Sequence, residues 1–139
     1  MTVLIDTGVF YAAAAERDLF HGRAVELLRG VEDQRPFTTD HVIVETWALL
    51  NARFDHATAM RFWSGLRGSA FDVEFVAPPD LERAHAICEA WADQRFDLVD
   101  CTSFAVMERV GCRRVATFDN DFAIFRTGIQ RRESFEIVR

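Results

Sequence analysis

The sequence predicts an α/β protein with a mainly parallel central sheet of four to five short strands flanked by helices. Short apolar segments such as Val3–Ile5 are separated by longer segments in which apolar residues recur at helical spacing, and this alternation is typical of such sheets. The chain has 139 residues and contains no repeat, low-complexity tract or linker rich in glycine and serine. We therefore expect residues 1–139 to form a single domain.

The first half of the chain predicts two strands and four helices. Its first strand is fully apolar, as expected of a buried strand in a parallel sheet. The next helical segment is rich in alanine, and the one after it carries an apolar stripe of Leu19, Ala24, Leu27 and Leu28. In chain order, the expected elements are a strand over Val3–Ile5, a helix over 10–15, a helix that Asp18 caps, a strand over 37–39, a helix to about 54 that Thr39 or Asp40 caps, and a helix over 57–66 that ends near Gly68.

The second half predicts three further strands, each separated from the next by helix. Residues 71–76 alternate in the manner of a strand before Pro78 and Pro79 end it. Gly111 is expected to stop a helix because glycine favours the C-terminal cap position. In chain order, the expected elements are a strand over 71–76, a helix from an Asp80 cap to about 94, a helix over 99–110, a strand over 114–118, a short helix after Asn120, and a strand over 135–138.

Composition restricts the cellular location and the kinds of site. The three cysteines are widely spaced and form no Cys-x-x-Cys pair, and the four histidines are scattered, so neither a disulfide framework nor a zinc site is expected. The apolar runs are too short to cross a bilayer, and no signal-peptide pattern begins the chain. We therefore expect a cytoplasmic protein that does not enter a membrane.

The net charge of −6 is unusual for a protein that handles nucleic acid. All of the basic residues are arginine, and arginine suits bidentate recognition of phosphate. A GC-rich genome is the simpler explanation for the absence of lysine. The net charge alone therefore neither supports nor excludes a protein that handles nucleic acid, and the positions of the acidic residues have to be considered.

The segment Asp6-Thr7-Gly8 spells the triplet that carries the catalytic carboxylate of aspartic proteases. Those enzymes need two aspartates that share a proton, in a mostly β framework. Here the triplet leads into an alanine-rich helical segment, and about half of the chain reads as helix. An aspartic protease is therefore rejected.

Acidic residues cluster at the predicted carboxyl ends of strands. Asp6 directly follows the first strand and Asp119 follows the strand over 114–118, with Asp121 two residues later. Asp100 lies at the start of a helix that is otherwise apolar on one face, and Glu45 interrupts a nearly continuous apolar helix. Because ligands bind beyond the carboxyl ends of parallel strands, these acids are expected at one edge of the sheet.

Each acid also has an ordinary structural explanation. Asp6 is compatible with a turn, Asp100 and Asp119 are compatible with helix caps, and Glu45 is compatible with a solvated helix face. If the carboxylates converge instead, they repel one another and raise one another's pKa. A divalent cation relieves that repulsion, and a set of oxygen ligands favours Mg²⁺ or Mn²⁺ over zinc.

Four segments in order, LIDTGVFYA, VIVETWALL, LVDCTSFAVMERVG and VATFDNDF, resemble PIN-domain ribonucleases, specifically VapC-type toxins of bacterial toxin–antitoxin pairs. The resemblance covers almost the whole chain. It implies a PIN-like fold with an acidic pocket that holds one or two Mg²⁺ or Mn²⁺ ions. Matched by position, the catalytic acids are Asp6, Glu45, Asp100 and Asp119.

The resemblance assigns roles around these four acids. Asp6, Asp100 and Asp119 are expected to bind metal directly, whereas Glu45 either binds metal or orients the attacking water. Asp121 is a candidate outer ligand, and Asp97 is a weaker candidate because the motif match falls on Asp100. Thr7 and Thr117 are expected to support the pocket. Several arginines after the third motif are candidate RNA contacts at the rim of the acidic pocket, namely Arg113, Arg114, Arg126, Arg131 and Arg132. The alternative is that they are ordinary solvated surface residues.

The resemblance also implies a substrate and partners. Such toxins hydrolyse phosphodiester bonds in structured RNA such as transfer or ribosomal RNA, they form homodimers, and a VapB-type antitoxin covers the active site. The alternative is a non-catalytic PIN-like module that binds RNA or protein, although such modules typically lack some of the acids. The RNA that is cleaved, the identity of the antitoxin and the number of metal ions stay open.

Overall fold

The predicted parallel sheet is present in the computed structural model, which describes residues 2–139. Its five strands are β1 (Val3–Ile5), β2 (Pro36–Thr39), β3 (Asp72–Glu74), β4 (Arg114–Ala116) and β5 (Glu136–Val138). They lie in the order β3-β2-β1-β4-β5, and every neighbouring pair is parallel. The expected α/β fold class is confirmed.

Helices connect the strands on both faces of the sheet. They are α1 (Thr7–Ala14), α2 (His21–Gly30), α3 (Asp40–Arg53), α4 (His56–Arg67), α5 (Pro78–Ala90), α6 (Leu98–Val110) and α7 (Asp121–Ile124), with a 3₁₀ turn at Ile129–Arg131. Within residues 2–139, no helix combines the length and the apolar character needed to cross a membrane.

The strand register brings the ends of β1 and β4 together. Leu4 lies opposite Val115 and Ile5 lies opposite Ala116, and the Asp6 amide donates a hydrogen bond to the Ala116 carbonyl at 3.0 Å. Because the two strands are parallel neighbours, the residues that follow them emerge at the same edge of the sheet. The fold thereby places the segments after Ile5 and after Ala116 side by side.

Alternate residues of β1 supply the two halves of the core. Leu4 points into one cluster, whereas Val3 and Ile5 point into the other, as the two-residue period of a strand requires. The Leu4 side is rich in phenylalanine, and the rings of Phe104 and Phe125 stack there at 4.4 Å between centroids. Both faces of the sheet are therefore covered by apolar side chains, which explains why its central strand has no polar residue.

Side-chain caps fix where two of the longer helices begin. The Thr39 hydroxyl accepts a hydrogen bond from the Val42 amide at 3.1 Å, which confirms Thr39 as the cap of α3. Asp97 caps α6 by accepting from the Asp100 amide at 2.8 Å. The alternative in which Asp100 itself is the cap is therefore wrong. Gly111 ends α6 with a left-handed φ of 75°, as expected of a C-terminal glycine.

Two other predicted caps are wrong. Helix α2 begins after Phe20, and the Asp18 carboxylate instead accepts from the Phe20 amide at 2.9 Å in the preceding turn. Leu19 is consequently outside the helix, and 90% of its side chain is exposed rather than packed in an apolar stripe. Asp80 lies inside α5, which starts at Pro78, and its carboxylate reaches back to the Ala77 amide at 2.8 Å. Proline is tolerated at the first helical position because that amide has no helical partner.

Several predicted boundaries also shift. Helix α1 starts at residue 7 rather than 10, because Asp6 already has the extended backbone of a cap residue. Strands β3 and β4 are shorter than the predicted 71–76 and 114–118, and the 3₁₀ turn at Ile129–Arg131 was not predicted. The early start of α1 matters for function, since it fixes the backbone directly after Asp6.

The Thr39→Ala variant is expected to lower the free energy of unfolding by about 1 kcal/mol, because the Val42 amide loses its capping acceptor. Urea unfolding monitored by circular dichroism measures the change. Thr39→Ser is the matched control, since a serine hydroxyl restores the acceptor and should recover most of the stability. Equal destabilisation by alanine and serine would show that the methyl group of Thr39, not the cap, matters.

Candidate active site

Three carboxylates from separate parts of the chain meet at the edge where β1 and β4 end. Asp6 follows β1, Asp119 lies three residues after β4, and Asp100 projects from the first turn of α6. One carboxylate oxygen from each residue lies within 4.8 Å of the others. The predicted convergence of these three acids therefore matches the geometry of the fold.

Thr117 connects two of these acids. Its hydroxyl donates a hydrogen bond to Asp6 Oδ2 at 2.8 Å and accepts one from the Asp119 amide at 2.9 Å. The Asp121 amide in turn donates to Asp119 Oδ1 at 2.9 Å. Thr117 is fully buried, so its hydroxyl holds Asp6 in a fixed orientation relative to the β4–α7 turn.

Burial raises the pKa of two of the three carboxyls, those of Asp6 and Asp100. It raises the pKa of Asp6 from its ordinary 3.8 to about 7, and the nearby charges of Asp119 and Glu45 add to the rise, whereas the Thr117 hydrogen bond opposes it. Burial also raises the pKa of Asp100, and the negative charges around it, that of Asp97 first, raise it further. Without a cation, burial and the neighbouring negative charges therefore oppose full ionisation of Asp6 and Asp100 at neutral pH.

Glu45 faces the same pocket from α3. It is half-buried, and burial raises the pKa of its carboxyl, with further contributions from the charges of Asp97 and Asp119. Its carboxylate is not among the three oxygens that lie within 4.8 Å of one another. Glu45 is thus a neighbour of the cluster rather than part of its inner set, and the alternative of a fully solvated residue does not hold.

The donor set fits a hard divalent cation. Carboxylate oxygens are the ligands that Mg²⁺ and Mn²⁺ prefer, and a cation would offset the repulsion among Asp6, Asp100 and Asp119. Two buried hydroxyl oxygens, Thr7 Oγ1 and Ser103 Oγ, have no hydrogen-bond partner among the described residues. The Thr7 hydroxyl nevertheless lies near enough to Glu45 to oppose part of the rise in the pKa of that carboxyl. Thr7 directly follows Asp6 and Ser103 is one helical turn after Asp100, so both belong to the segments that carry the carboxylates.

The remaining predicted acids lie beside the inner set. Asp97 caps α6 and contributes charge that raises the pKa of Asp100. Asp121 is only partly exposed, and burial and the charge of Asp119 raise the pKa of its carboxyl. The motif match rather than the cap therefore identifies the inner carboxylate of α6.

The structure does not bring Arg113 and Arg114 to the site. They lie at the amino end of β4, at the opposite edge of the sheet, where Arg113 pairs with Glu133 and Arg114 pairs with Glu136. Arg126 donates to main-chain carbonyls at the C-terminal end of α7, among them that of Ile124 at 3.1 Å. The parallel direction of β4 was already a signal against the first two, since residues that begin a strand cannot flank its carboxyl end.

Sequence reasoning overlooked two features of this edge. Ser103 is spaced by one helical turn from Asp100, and that spacing was its only signal. An aromatic pair formed by Phe20 and Phe118 lies next to the site, with ring centroids 5.3 Å apart. The position of Phe118, directly before Asp119, was visible in the sequence, whereas the packing of Phe20 against it was not.

The Thr117→Val variant is expected to weaken Mn²⁺ binding by about 10- to 100-fold, the usual effect of losing a hydrogen bond that orients a metal ligand. Valine cannot donate to Asp6, so the pKa of that carboxyl rises further and protons compete better with the metal. Isothermal titration calorimetry measures the affinity. Thr117→Ser keeps the hydroxyl and should bind almost as the wild type does; unchanged binding by the valine variant would remove Thr117 from the site.

Comparison with known proteins agrees with this arrangement. The PIN domain family matches residues 3–127. The 23S rRNA-specific endonuclease VapC20 of Mycobacterium tuberculosis is 31% identical over 121 residues, which are 87% of this chain and 92% of that protein. The crystal structure of the M. tuberculosis VapC20, described as a Sarcin-Ricin loop cleaving toxin, superimposes with a TM-score of 0.81 and 30% identity, covering 88% of this chain and 93% of VapC20.

Two more distant structures share the fold. FitAcB from Neisseria gonorrhoeae has a TM-score of 0.62 at 17% identity and covers 85% of this chain and 88% of its own. VapBC2 from Rickettsia felis, bound to a DNA fragment from its promoter, has a TM-score of 0.64 at 10% identity and covers 99% and 97%. With the matched residues and the similarity to VapC20, these findings confirm the resemblance seen in the sequence: the chain belongs to the PIN-domain family and is a relative of the VapC toxins.

Proposed function

We propose that the protein is an endoribonuclease that hydrolyses phosphodiester bonds with Mg²⁺ or Mn²⁺ held by Asp6, Asp100 and Asp119. The observation that carries the proposal is the approach of the three carboxylate oxygens to within 4.8 Å of one another at the strand ends. The relative that is 31% identical is itself a ribosomal RNA endonuclease. A second ion beside Glu45 and Asp121 is compatible with the same set of acids.

The residues divide the work of hydrolysis among them. Asp6, Asp100 and Asp119 would hold the cation, and Thr117 keeps Asp6 in the orientation that binding would need. When bound, the ion makes a coordinated water more acidic and neutralises charge on the phosphate. We assign Glu45, whose pKa is raised, to orient the attacking water and accept its proton, with direct metal binding as the alternative. The water oxygen bonds to phosphorus as the bond from phosphorus to the 3′ oxygen breaks. The 3′ oxygen takes a proton from solvent water, and Glu45 returns its proton to solvent.

The proposed substrate is structured RNA, with ribosomal RNA first and transfer RNA second. Ribosomal RNA takes precedence because VapC20 acts on 23S rRNA and matches this chain over most of both lengths. The acidic net charge of −6 includes the carboxylates of the site, whose charge a bound cation would offset. The overall charge is therefore compatible with an RNA substrate.

Purified protein incubated with total RNA is the experiment that tests the proposed function. Cleavage into discrete fragments is expected with Mn²⁺ or Mg²⁺ and is expected to stop when EDTA is added. The Asp72→Asn variant is a suitable control, because Asp72 is exposed and opens β3 at the opposite edge of the sheet. Cleavage that persists in EDTA would overturn the metal-dependent mechanism. Absence of both cleavage and Mn²⁺ binding would favour the non-catalytic module.

We further propose that the protein forms a homodimer and that a VapB-type antitoxin covers its active site. An apolar groove of about 650 Å³ lies between α3, α4 and β3, with Val44 67% and Phe75 68% exposed at its rim. Exposed apolar surface of this kind is typical of protein interfaces. If the homodimer forms, light scattering should give twice the chain mass of 15.9 kDa. The antitoxin proposal is tested by co-purification, and a small DNA-binding protein encoded by a neighbouring gene is the first candidate.

A further inference from the structure

An aromatic pair, exposed Phe20 and partly buried Phe118, adjoins the carboxylate cluster. Phe20 precedes α2, and its ring stacks on that of Phe118 with centroids 5.3 Å apart and an angle of 26° between the planes. Phe118 directly precedes Asp119, one of the three converging carboxylates. Phe20 keeps 40% of its surface exposed although it lies next to an apolar partner.

The guanidinium of Arg23 lies against both rings. Its central carbon is 5.9 Å from the centroid of Phe20 and 5.6 Å from that of Phe118. Arg23 is exposed, and within residues 2–139 no carboxylate pairs with it at 4.0 Å or less. A flat apolar surface with an unpaired planar cation is the combination on which proteins stack unpaired nucleobases.

The pair is held in place by the fold. The inner side of Phe118 packs against the second core cluster, which includes Ile5 and Ala116. The backbone of Phe20 is fixed at both ends, because its amide donates to Asp18 Oδ2 at 2.9 Å and its carbonyl accepts from the Ala24 amide at 2.9 Å. A surface that is already ordered loses little conformational entropy when a ligand stacks on it.

A cationic recess continues from the same edge. Arg23 and Arg139 both line a cavity of about 270 Å³, which Glu26 also borders. Arg139 donates to the Asn120 side chain at 3.2 Å, and Asn120 directly follows Asp119. The carboxylate cluster, the ring pair and the arginines are thus linked through residues 118–120.

We propose that Phe20, Phe118 and Arg23 form a stacking platform for an unpaired nucleobase of the RNA, close to the bond that is cleaved. Arg23 and Arg139 contact phosphates beside it. The platform deepens the proposed ribonuclease function and rests on it, because RNA is expected to bind beside Asp119 only if the carboxylate cluster cleaves RNA. It selects RNA in which a base next to the cleavage site is unpaired, rather than continuous duplex.

Fluorescence anisotropy with two labelled probes tests the platform: a single-stranded oligoribonucleotide and the same backbone with every base removed. In Ca²⁺ buffer, Phe20→Ala is expected to weaken binding of the first probe at least about 5-fold, the lower end of the usual loss per stacked base. It should leave the abasic probe unaffected. Arg23→Ala should weaken both probes and reduce the salt dependence of binding by about one phosphate contact.

Two variants control for folding and for apolar area. Phe20→Trp keeps a flat ring and should retain binding, whereas Phe20→Leu keeps an apolar side chain without a ring and should lose it. Leu19→Ala removes the neighbouring side chain, which is 90% exposed, and should change nothing. Mn²⁺ affinity and the circular dichroism spectrum should be the same in all variants, which shows that each is folded with an intact carboxylate cluster.

The outcomes separate this platform from the nuclease itself. If the wild type cleaves RNA and Phe20→Ala binds both probes as the wild type does, the platform is overturned while the nuclease stands. If the wild type does not cleave RNA but the ring of Phe20 controls binding of the base-containing probe, the nuclease fails. Base stacking at Phe20 then stands, but not its place beside a cleaved bond. Wild-type protein that binds neither probe, or Phe20→Ala that loses only dimerisation, would also overturn the platform.

Discussion

Replacing Asp100 or Asp119 by asparagine is expected to reduce Mn²⁺-dependent RNA cleavage by at least about 100-fold, while the protein stays folded. Each residue supplies one of three oxygens within 4.8 Å of one another, and losing even an outer partner of a metal ligand typically costs about 10- to 100-fold. An amide keeps the size of the side chain but removes the charge that binds the cation. Initial rates on ribosomal RNA, measured with equal amounts of each variant, test this expectation.

Two measurements guard against a trivial loss of activity. Circular dichroism should show wild-type secondary structure in both variants, and Asp72→Asn should cleave at the wild-type rate. Near-wild-type activity of either Asp100→Asn or Asp119→Asn would exclude that residue from the site. Loss of activity in all three variants would indicate instead that total negative charge, not geometry, governs cleavage.

The Asp6→Asn variant should be inactive and yet more stable than the wild type when no divalent cation is present at pH 8. The pKa of Asp6 is raised from 3.8 to about 7 in the folded protein, so the folded state binds this proton more tightly than the unfolded state. The stability that this proton contributes to the metal-free wild type is fully present below about pH 4. It is lost progressively as pH rises from about 4 to 7, and the loss is complete above pH 7. At pH 8, the free energies of unfolding of Asp6→Asn and the metal-free wild type should differ by at most about 4 kcal/mol, since one pKa unit corresponds to about 1.4 kcal/mol.

Differential scanning calorimetry in EDTA at pH 4 and pH 8 measures this difference. The variant should unfold at about the same temperature as the wild type at pH 4 and several degrees higher at pH 8. Saturating Mn²⁺ should reduce or reverse the gap, because only the wild type gains binding energy from the ion. If the metal-free wild type is more stable than Asp6→Asn at pH 8, the surroundings of Asp6 favour its ionised carboxylate, and the expectation is wrong.

Much of the fold followed from local patterns. The fully apolar run Val3–Ile5 is buried on both faces, and the parallel arrangement of β1 and β4 then required Asp6 and the β4–α7 turn to share an edge. The convergence of Asp6, Asp100 and Asp119 was predictable for that reason. The resemblance was needed to choose Asp100 over Asp97, because either carboxylate suits the start of a helix.

Other features depended on tertiary packing that no local pattern reveals. Asp18 and Phe20 are both near the start of α2, and only the backbone course shows that the helix begins after the phenylalanine. The pairing of Phe20 with Phe118 joins segments almost one hundred residues apart. The placement of Arg113 and Arg114 was an error of another kind, since the direction of their own strand was enough to exclude them from the rim.

Anomalous diffraction from crystals grown with Mn²⁺ tests the central claim most directly, because it locates the ion itself. A strong peak is expected about 2.2 Å from one oxygen each of Asp6, Asp100 and Asp119, the usual range for hard cations on carboxylates. The same preparation should cleave RNA, and the peak should vanish in Asp119→Asn. The proposed site would be contradicted if the protein cleaves RNA but the crystals show no Mn²⁺ at these three carboxylates.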